Sequence, residues 1–275
     1  ELGRVDEAAP ILLQLARDEK VEPGVRSDAA SSLGELGKVD EAIPILLELA
    51  RDEKVEPSVR SDAASSLGKL GRVDEAAPIL LELARDEKVE PSVHYFAASS
   101  LGELGRVDEA APILLQLTSD EKVEPSVRSF AASSLGKLGR VDEAIPILLE
   151  LARDEEVEPG VRSDAASSLG KLGRADEAAS ILLQLARDEK LKPGVRIYAA
   201  YPLGELGRVD EAAPILLELA RDEKVEPLVR SSAASSLGKL GRVDEAIPIL
   251  LQLARDEKVN PWVHMDAAPI LLQLA

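Results

Sequence analysis

The sequence predicts an all-α fold, an α-solenoid made by stacking one helix pair on the next. Three observations predict it. First, Leu-Gly recurs every 34 residues, at Leu2-Gly3, Leu36-Gly37, Leu70-Gly71, Leu104-Gly105, Leu138-Gly139, Leu172-Gly173, Leu206-Gly207 and Leu240-Gly241. Second, the prolines are punctuation. Of 17, eight open one segment of the period (Pro23, Pro57, Pro91, Pro125, Pro159, Pro193, Pro227, Pro261), and seven sit early in the other (Pro10, Pro44, Pro78, Pro112, Pro146, Pro214, Pro248). Only Pro202 and Pro269 fall elsewhere. Third, the apolar residues of each segment recur at helical spacing, and a period of this length is the signature of a stacked array. The 275 residues, 1–275, are thus expected to form a single domain of eight repeats: 2–35, 36–69, 70–103, 104–137, 138–171, 172–205, 206–239 and 240–273.

The second repeat serves as the template. Its first helix is predicted from about Asp40 to Arg51, with Asp40 as N-cap and Glu41 complementing the positive end of the helix dipole. Pro44 lies close enough to the start to be tolerated. Glu41, Pro44, Glu48 and Arg51 form one polar stripe, and the wide arc of Ala42, Ile43, Ile45, Leu46, Leu47, Leu49 and Ala50 faces two neighbours. After the loop Asp52–Glu56, Pro57 is a favourable first residue for the second helix. That helix runs to about Lys69, with Val59, Ala63, Leu67 and Leu70 facing inward and Gly71 as its left-handed stop. Such a pair cannot bury its apolar arc alone, so each unit must cover the next.

Composition narrows the function. There is no cysteine, which excludes a disulfide framework, a zinc ribbon and a thiol nucleophile. A net charge of −18 disfavours nucleic acid and anionic membranes as partners. No apolar run approaches the ~20 residues of a membrane span and no leader opens the chain, so the expected location is cytoplasmic. Aromatics are 2% of the residues against 45% hydrophobic, so the core is aliphatic. Metal motif, phosphate loop, dinucleotide fingerprint and nucleophile elbow are all missing from the sequence. The expectation is a protein that is not an enzyme and takes no cofactor and no metal.

Two motifs carry a family resemblance. The second helix reads Val-Arg-x-x-Ala-Ala-x-x-Leu-Gly (Val59-Arg60, Ala63-Ala64, Leu67-Gly68), and the first reads Asp-Glu-Ala-Ile-Pro-x-Leu-Leu (Asp40 to Leu47). Together they resemble bacterial HEAT-like repeats, including the phycobilisome-lyase type, along the whole chain. The period of 34 and Gly71 followed by Asp74-Glu75-Ala76 also echo tetratricopeptide repeats, the alternative, but aromatic packing residues are missing and Pro44 is foreign to that pattern. The resemblance implies a right-handed α-solenoid whose second helices line a concave surface. It also implies a ladder between turn aspartates and second-helix arginines, here Asp52 and Arg60 with their equivalents. His94 and His264 replace that arginine as altered rungs.

The positions that vary among repeats point to a working surface. Four do so on the second helix, those of Ser58, Ser61, Asp62 and Ser65. Elsewhere they become Tyr95, Phe96, Phe130, Ile197, Tyr198, Tyr201, Leu228, Trp262 and Met265, which include every aromatic and the one Met of the chain. Their spacing of 3, 4 and 7 places them on one helix face, opposite the inward stripe, and predicts exposure. Exposed aromatics on a rigid surface mark a protein-binding site. The function expected is therefore a non-enzymatic scaffold binding a protein or peptide on the concave face, with basic segments favoured by the charge. Two alternatives come from the resemblance: a sensor arm of a larger signalling protein, and a bilin lyase or lyase subunit.

Two local expectations complete the reading. Pro202, inside a second helix, should bend or end it. Residues 266–275 combine a second-helix start with a first-helix end, leaving an apolar terminus (Leu271, Leu272, Leu274). That end either adjoins further sequence or self-associates.

Overall fold

In a computed structural model, which describes residues 2–255, with side chains from residue 7, the chain forms fifteen helices and no strand among the described residues. The first helices of the repeats are α1 (Leu2–Arg17), α3 (Val39–Arg51), α5 (Val73–Arg85), α7 (Val107–Ser119), α9 (Val141–Arg153), α11 (Ala175–Arg187), α13 (Val209–Arg221) and α15 (Val243–Arg255). The second helices are α2 (Pro23–Glu35), α4 (Pro57–Lys69), α6 (Pro91–Glu103), α8 (Pro125–Lys137), α10 (Pro159–Lys171), α12 (Pro193–Glu205) and α14 (Pro227–Lys239). This is an all-α solenoid. It comprises two compact units, Glu1–Glu143 and Ala144–Ala275, with the same internal plan. In each, consecutive helices pack on one another and second helices pack on second helices.

The first helix starts one residue before the sequence suggests. Lys38 occupies the cap, Val39 is the first helical residue, and no side chain caps the end. Asp40 is therefore not the cap. It lies in the first turn with Glu41, where both carboxylates still face the positive end of the dipole. Ala42, Ile45, Leu46, Leu49 and Ala50 are buried, whereas Pro44 and Glu48 are exposed. Burying a side chain such as Leu46 contributes about 2 kcal/mol, and each repeat supplies several.

The second helix is as predicted, Pro57–Lys69, with Pro57 at its start. Its buried face is wider than the predicted stripe. Arg60, Ser61, Ala63, Ala64, Leu67 and Gly68 are buried, while Val59 and Leu70 are half-buried. The extra width is the contact with adjacent second helices, which an isolated helical wheel does not contain. Gly71 ends the helix with φ +86°, its N–H bonded to Gly68 O and the Arg72 N–H to Leu67 O. That paired pattern satisfies two of the orphan carbonyls at the helix end. Gly68 has a different duty. A Cβ there would come 2.3 Å from Leu104 Cδ1, so the missing side chain is the seat for the next repeat's leucine.

Pro202 neither bends α12 enough to end it nor shortens it, since α12 has the same 13 residues as its equivalents. The proline removes the N–H that would bond Tyr198 O, four residues earlier. Buried Ser163, from the preceding repeat, donates its hydroxyl to that same oxygen at 3.2 Å. A neighbouring helix thus satisfies the acceptor that the helix itself has lost.

Candidate interaction surface and inter-repeat ladder

The varied second-helix positions do not form one uniform exposed face. Phe96, Phe130, Tyr198 and Leu228 are 57%, 45%, 49% and 46% exposed, as expected. Ile197 is not: it is 7% exposed. Tyr95 and Tyr201 are half-buried. The reason is geometric. The Ser61-type position lies at one edge of the varied arc, about 100° from the Asp62-type position, and the packed neighbouring helix covers that edge. Ser27, Ser61, Ser129, Ser163 and Ser231 are all buried there, and so is Ile197. Trp262 and Met265 lie outside the described residues, as do His264 and the apolar terminus.

In the first unit the structure brings three predicted residues together. The Tyr95 ring packs against Phe96 at 5.1 Å between centroids and stacks on Phe130 of the next repeat at 5.9 Å. Tyr95 fills the joint between α6 and α8, so its neighbours stand out from the surface. Phe96 also borders a groove of about 490 Å³ between the starts of α4 and α6, with Pro57, Ser58, Ser92 and Val93. Along the same row, the earlier repeats present Asp28 and Asp62. Partial burial, and then the Asp28 charge, raises the Asp62 carboxyl above its usual pKa.

In the second unit, a groove of about 450 Å³ runs among α10, α12 and α14, lined by Asp164, Ile197, Tyr198, Tyr201, Pro202 and Ser232. Tyr198 donates its hydroxyl to the Asp164 carboxylate of the preceding repeat. That bond, with burial adding to it, pushes the Tyr198 phenol up to about 12. Burial and then Glu205 raise the Tyr201 phenol as well, and Lys239 Nζ stands 6.0 Å from its ring centre.

The ladder between repeats differs from the expected aspartate–arginine pairing. Asp52 accepts the Lys54 N–H at 2.9 Å and closes its own turn. Arg60 instead donates Nε to Ala50 O at 3.1 Å and Nη2 to Glu82 of the next repeat at 3.1 Å. Arg26–Glu48 and Arg196–Glu218 repeat the arrangement. The arginine thus caps an orphan carbonyl at the first helix's end and ties it to the next repeat. A carboxylate, which only accepts, cannot cap that carbonyl. A second rail joins second helices: Ser31 donates to Ser66 at 2.7 Å, Ser100 donates to Ser65 at 3.1 Å, and Ser99 and Ser134 share a bond at 3.3 Å. The recurring Ser-Ser dipeptide thus bonds between repeats in α2, α4, α6 and α8, whereas Ser236 bonds back to Ser232 O within α14.

A stack of helix pairs joined by buried arginines and small-residue seats defines the class, an α-helical repeat protein. Models for HEAT repeats match residues 1–68, 53–124, 88–158, 123–193 and 189–271, and the chain belongs to the HEAT-repeat family. No curated protein matches it in sequence. Among solved structures, it is similar to human deoxyhypusine hydroxylase in complex with glycerol, with 23% identity over 97% of this chain and 96% of that one and a TM-score of 0.37. It is also similar to a chain described under Computational Design of Self-Assembling Cyclic Protein Homooligomers, with 18% identity, coverage of 98% and 90%, and a TM-score of 0.12. Among the described residues, no helix is long and apolar enough to cross a membrane, and no three or more His, Asp or Glu are grouped to hold a metal ion.

Proposed function

We propose that this protein is a non-enzymatic scaffold that binds a protein or peptide along its second helices, on the concave face of the solenoid. One observation carries the reading: the cluster of Tyr95, Phe96 and Phe130, in which a half-buried ring supports two exposed ones. An exposed aromatic pair held by a rigid third ring is pre-organised to bury area at little entropic cost. The closer packing of second helices than first helices within each unit supports the concave side.

The row Asp28, Asp62, Phe96, Phe130 sets the partner's chemistry. An amphipathic segment, with basic residues over the aspartates and apolar residues over the phenylalanines, complements it, and the charge of −18 steers such a segment in. This apolar and acidic row favours the scaffold over a bilin lyase, which calls for a pocket holding a chromophore.

The test uses the double variant Phe96→Ser with Phe130→Ser. Its affinity for members of an amphipathic basic peptide library that bind the parent should fall at least tenfold, while its circular dichroism stays unchanged. Peptides that bind parent and variant equally would remove the aromatic surface from the function.

A further inference from the structure

The third repeat breaks the arginine ladder. In all six described repeats that carry the arginine, Nε donates to the carbonyl of a residue ten positions earlier. These bonds are Arg26 to Ala16, Arg60 to Ala50, Arg128 to Thr118, Arg162 to Ala152, Arg196 to Ala186 and Arg230 to Ala220, at 2.9–3.3 Å. The third repeat has His94 at this position. Its Nε2 pairs with Asp86 O at 2.8 Å rather than with Ala84 O, the equivalent carbonyl. Ala84 O is one of the last carbonyls of α5, and the Lys88 N–H that would continue the helix bonds the Asp86 carboxylate instead. His94 itself lines a cleft of about 580 Å³ here, within the range of about 300–1,000 Å³ typical of small-ligand sites.

The cleft walls match what a guanidinium meets elsewhere in this chain. Ala84, Ile113, Leu117 and Val123 supply an apolar wall for a methylene stem. Gln116 stands where Glu82 and Glu218 receive Nη2, and the carboxylates of Glu87 and Asp120 also line the space. Neither Gln116 nor the cationic Arg85 bars the seat. Arg162 and Arg230 occupy theirs although the next repeats carry Gln184 and Gln252 at the equivalent position. Arg187, the counterpart of Arg85, lines the same cleft as the seated Arg196.

The geometry points to a guanidinium-binding site between the third and fourth repeats, in which an exogenous alkylguanidinium takes the place of the absent arginine. The ligand's Nε–H donates to Ala84 O, a terminal nitrogen donates to Gln116 Oε1, and the stem packs on Ile113 and Leu117. The source is either a free alkylguanidine or an arginine side chain of a peptide.

The full chain is titrated calorimetrically with ethylguanidinium, with the tripeptide acetyl-Ala-Arg-Ala-amide, and with butylammonium as the single-point cation. Saturable one-site binding of a guanidinium, at least tenfold tighter than butylammonium, is expected. His94→Arg fills the seat from within and should abolish it. Gln116→Glu adds a charge-assisted acceptor and should tighten it by about tenfold. Tighter binding of the tripeptide identifies a chain arginine as the source, and equal or tighter binding of ethylguanidinium identifies the free group. Binding that His94→Arg leaves intact would assign it to the acidic surface at large and overturn the site. So would the lack of saturable guanidinium binding by the parent and by Gln116→Glu.

Discussion

Single side chains here act mainly on partners in the adjacent repeat. Ser163 is the sharpest case, because its hydroxyl serves a carbonyl that Pro202 has deprived of its helical donor. Ser163→Ala should cost about 1 kcal/mol of stability. In a Pro202→Ser background the helix supplies its own N–H, so the same substitution should cost measurably less. A double-mutant cycle on urea unfolding reads the difference, and equal costs in both backgrounds would break the pairing. Tyr198 offers a second check. Its phenol is pushed up to about 12, first by the bond to Asp164, so it stays neutral through the range where an ordinary tyrosine, near 10.0, ionises. Asp164→Asn removes the anion that disfavours tyrosinate, and the phenol should titrate at lower pH. Ultraviolet difference titration follows this directly.

At the scale of helices, arginine rungs and leucine seats join neighbouring pairs within each unit. Arg60 is buried and caps Ala50 O, whereas its partner Glu82 has a side chain 63% exposed. The two ends of one ion pair should therefore differ in worth. Arg60→Ala should cost about 2–3 kcal/mol, through a lost carbonyl cap and lost packing. Glu82→Ala should cost below about 1 kcal/mol, because water and salt screen its side of the pair. Urea midpoints of the two variants measure the asymmetry, and equal effects would show that the ion pair rather than the cap matters. The repeat pattern carries a trace of this asymmetry: the arginine recurs in six of the eight repeats and the glutamate in four, with Gln14, Gln116, Gln184 and Gln252 in the others. Helix boundaries were legible to within a residue, because Pro57 and Gly71 act through their own backbone chemistry. The Asp40 cap was misplaced, since nothing local distinguishes the residue that enters the helix from the one two places later.

For the molecule as a whole, stability should be nearly a sum over repeats and their joints. Removing one full period, residues 36–69, rejoins equivalent surfaces: Glu35 then precedes Leu70 as it had preceded Leu36. Such a deletion should keep the helical signal per residue and lower the unfolding midpoint only modestly. Deleting 36–55 instead removes one helix of a pair, strips both its neighbours of cover, and should unfold a large part of the array. Circular dichroism during thermal melting separates the two outcomes.

The sequence by itself determined the helix pair and its repetition, which follow from proline and glycine placement and from a fixed period, properties of consecutive residues. The resemblance to HEAT repeats rested on the two helix motifs, Asp40 to Leu47 and Val59 to Gly68. It also placed Phe96, Phe130, Tyr198 and Leu228 on a surface, because helical spacing decides which side of its own helix each occupies. Only tertiary structure decided that Ile197 is buried while Tyr198 beside it is not, that Arg60 reaches Glu82 rather than Asp52, and that His94 pairs with Asp86 O where the arginines pair with a helix-end carbonyl. Each of those depends on how a neighbouring repeat covers one edge of a helix. A helical wheel drawn for one helix contains no neighbour, so burial at that edge is settled by the stack.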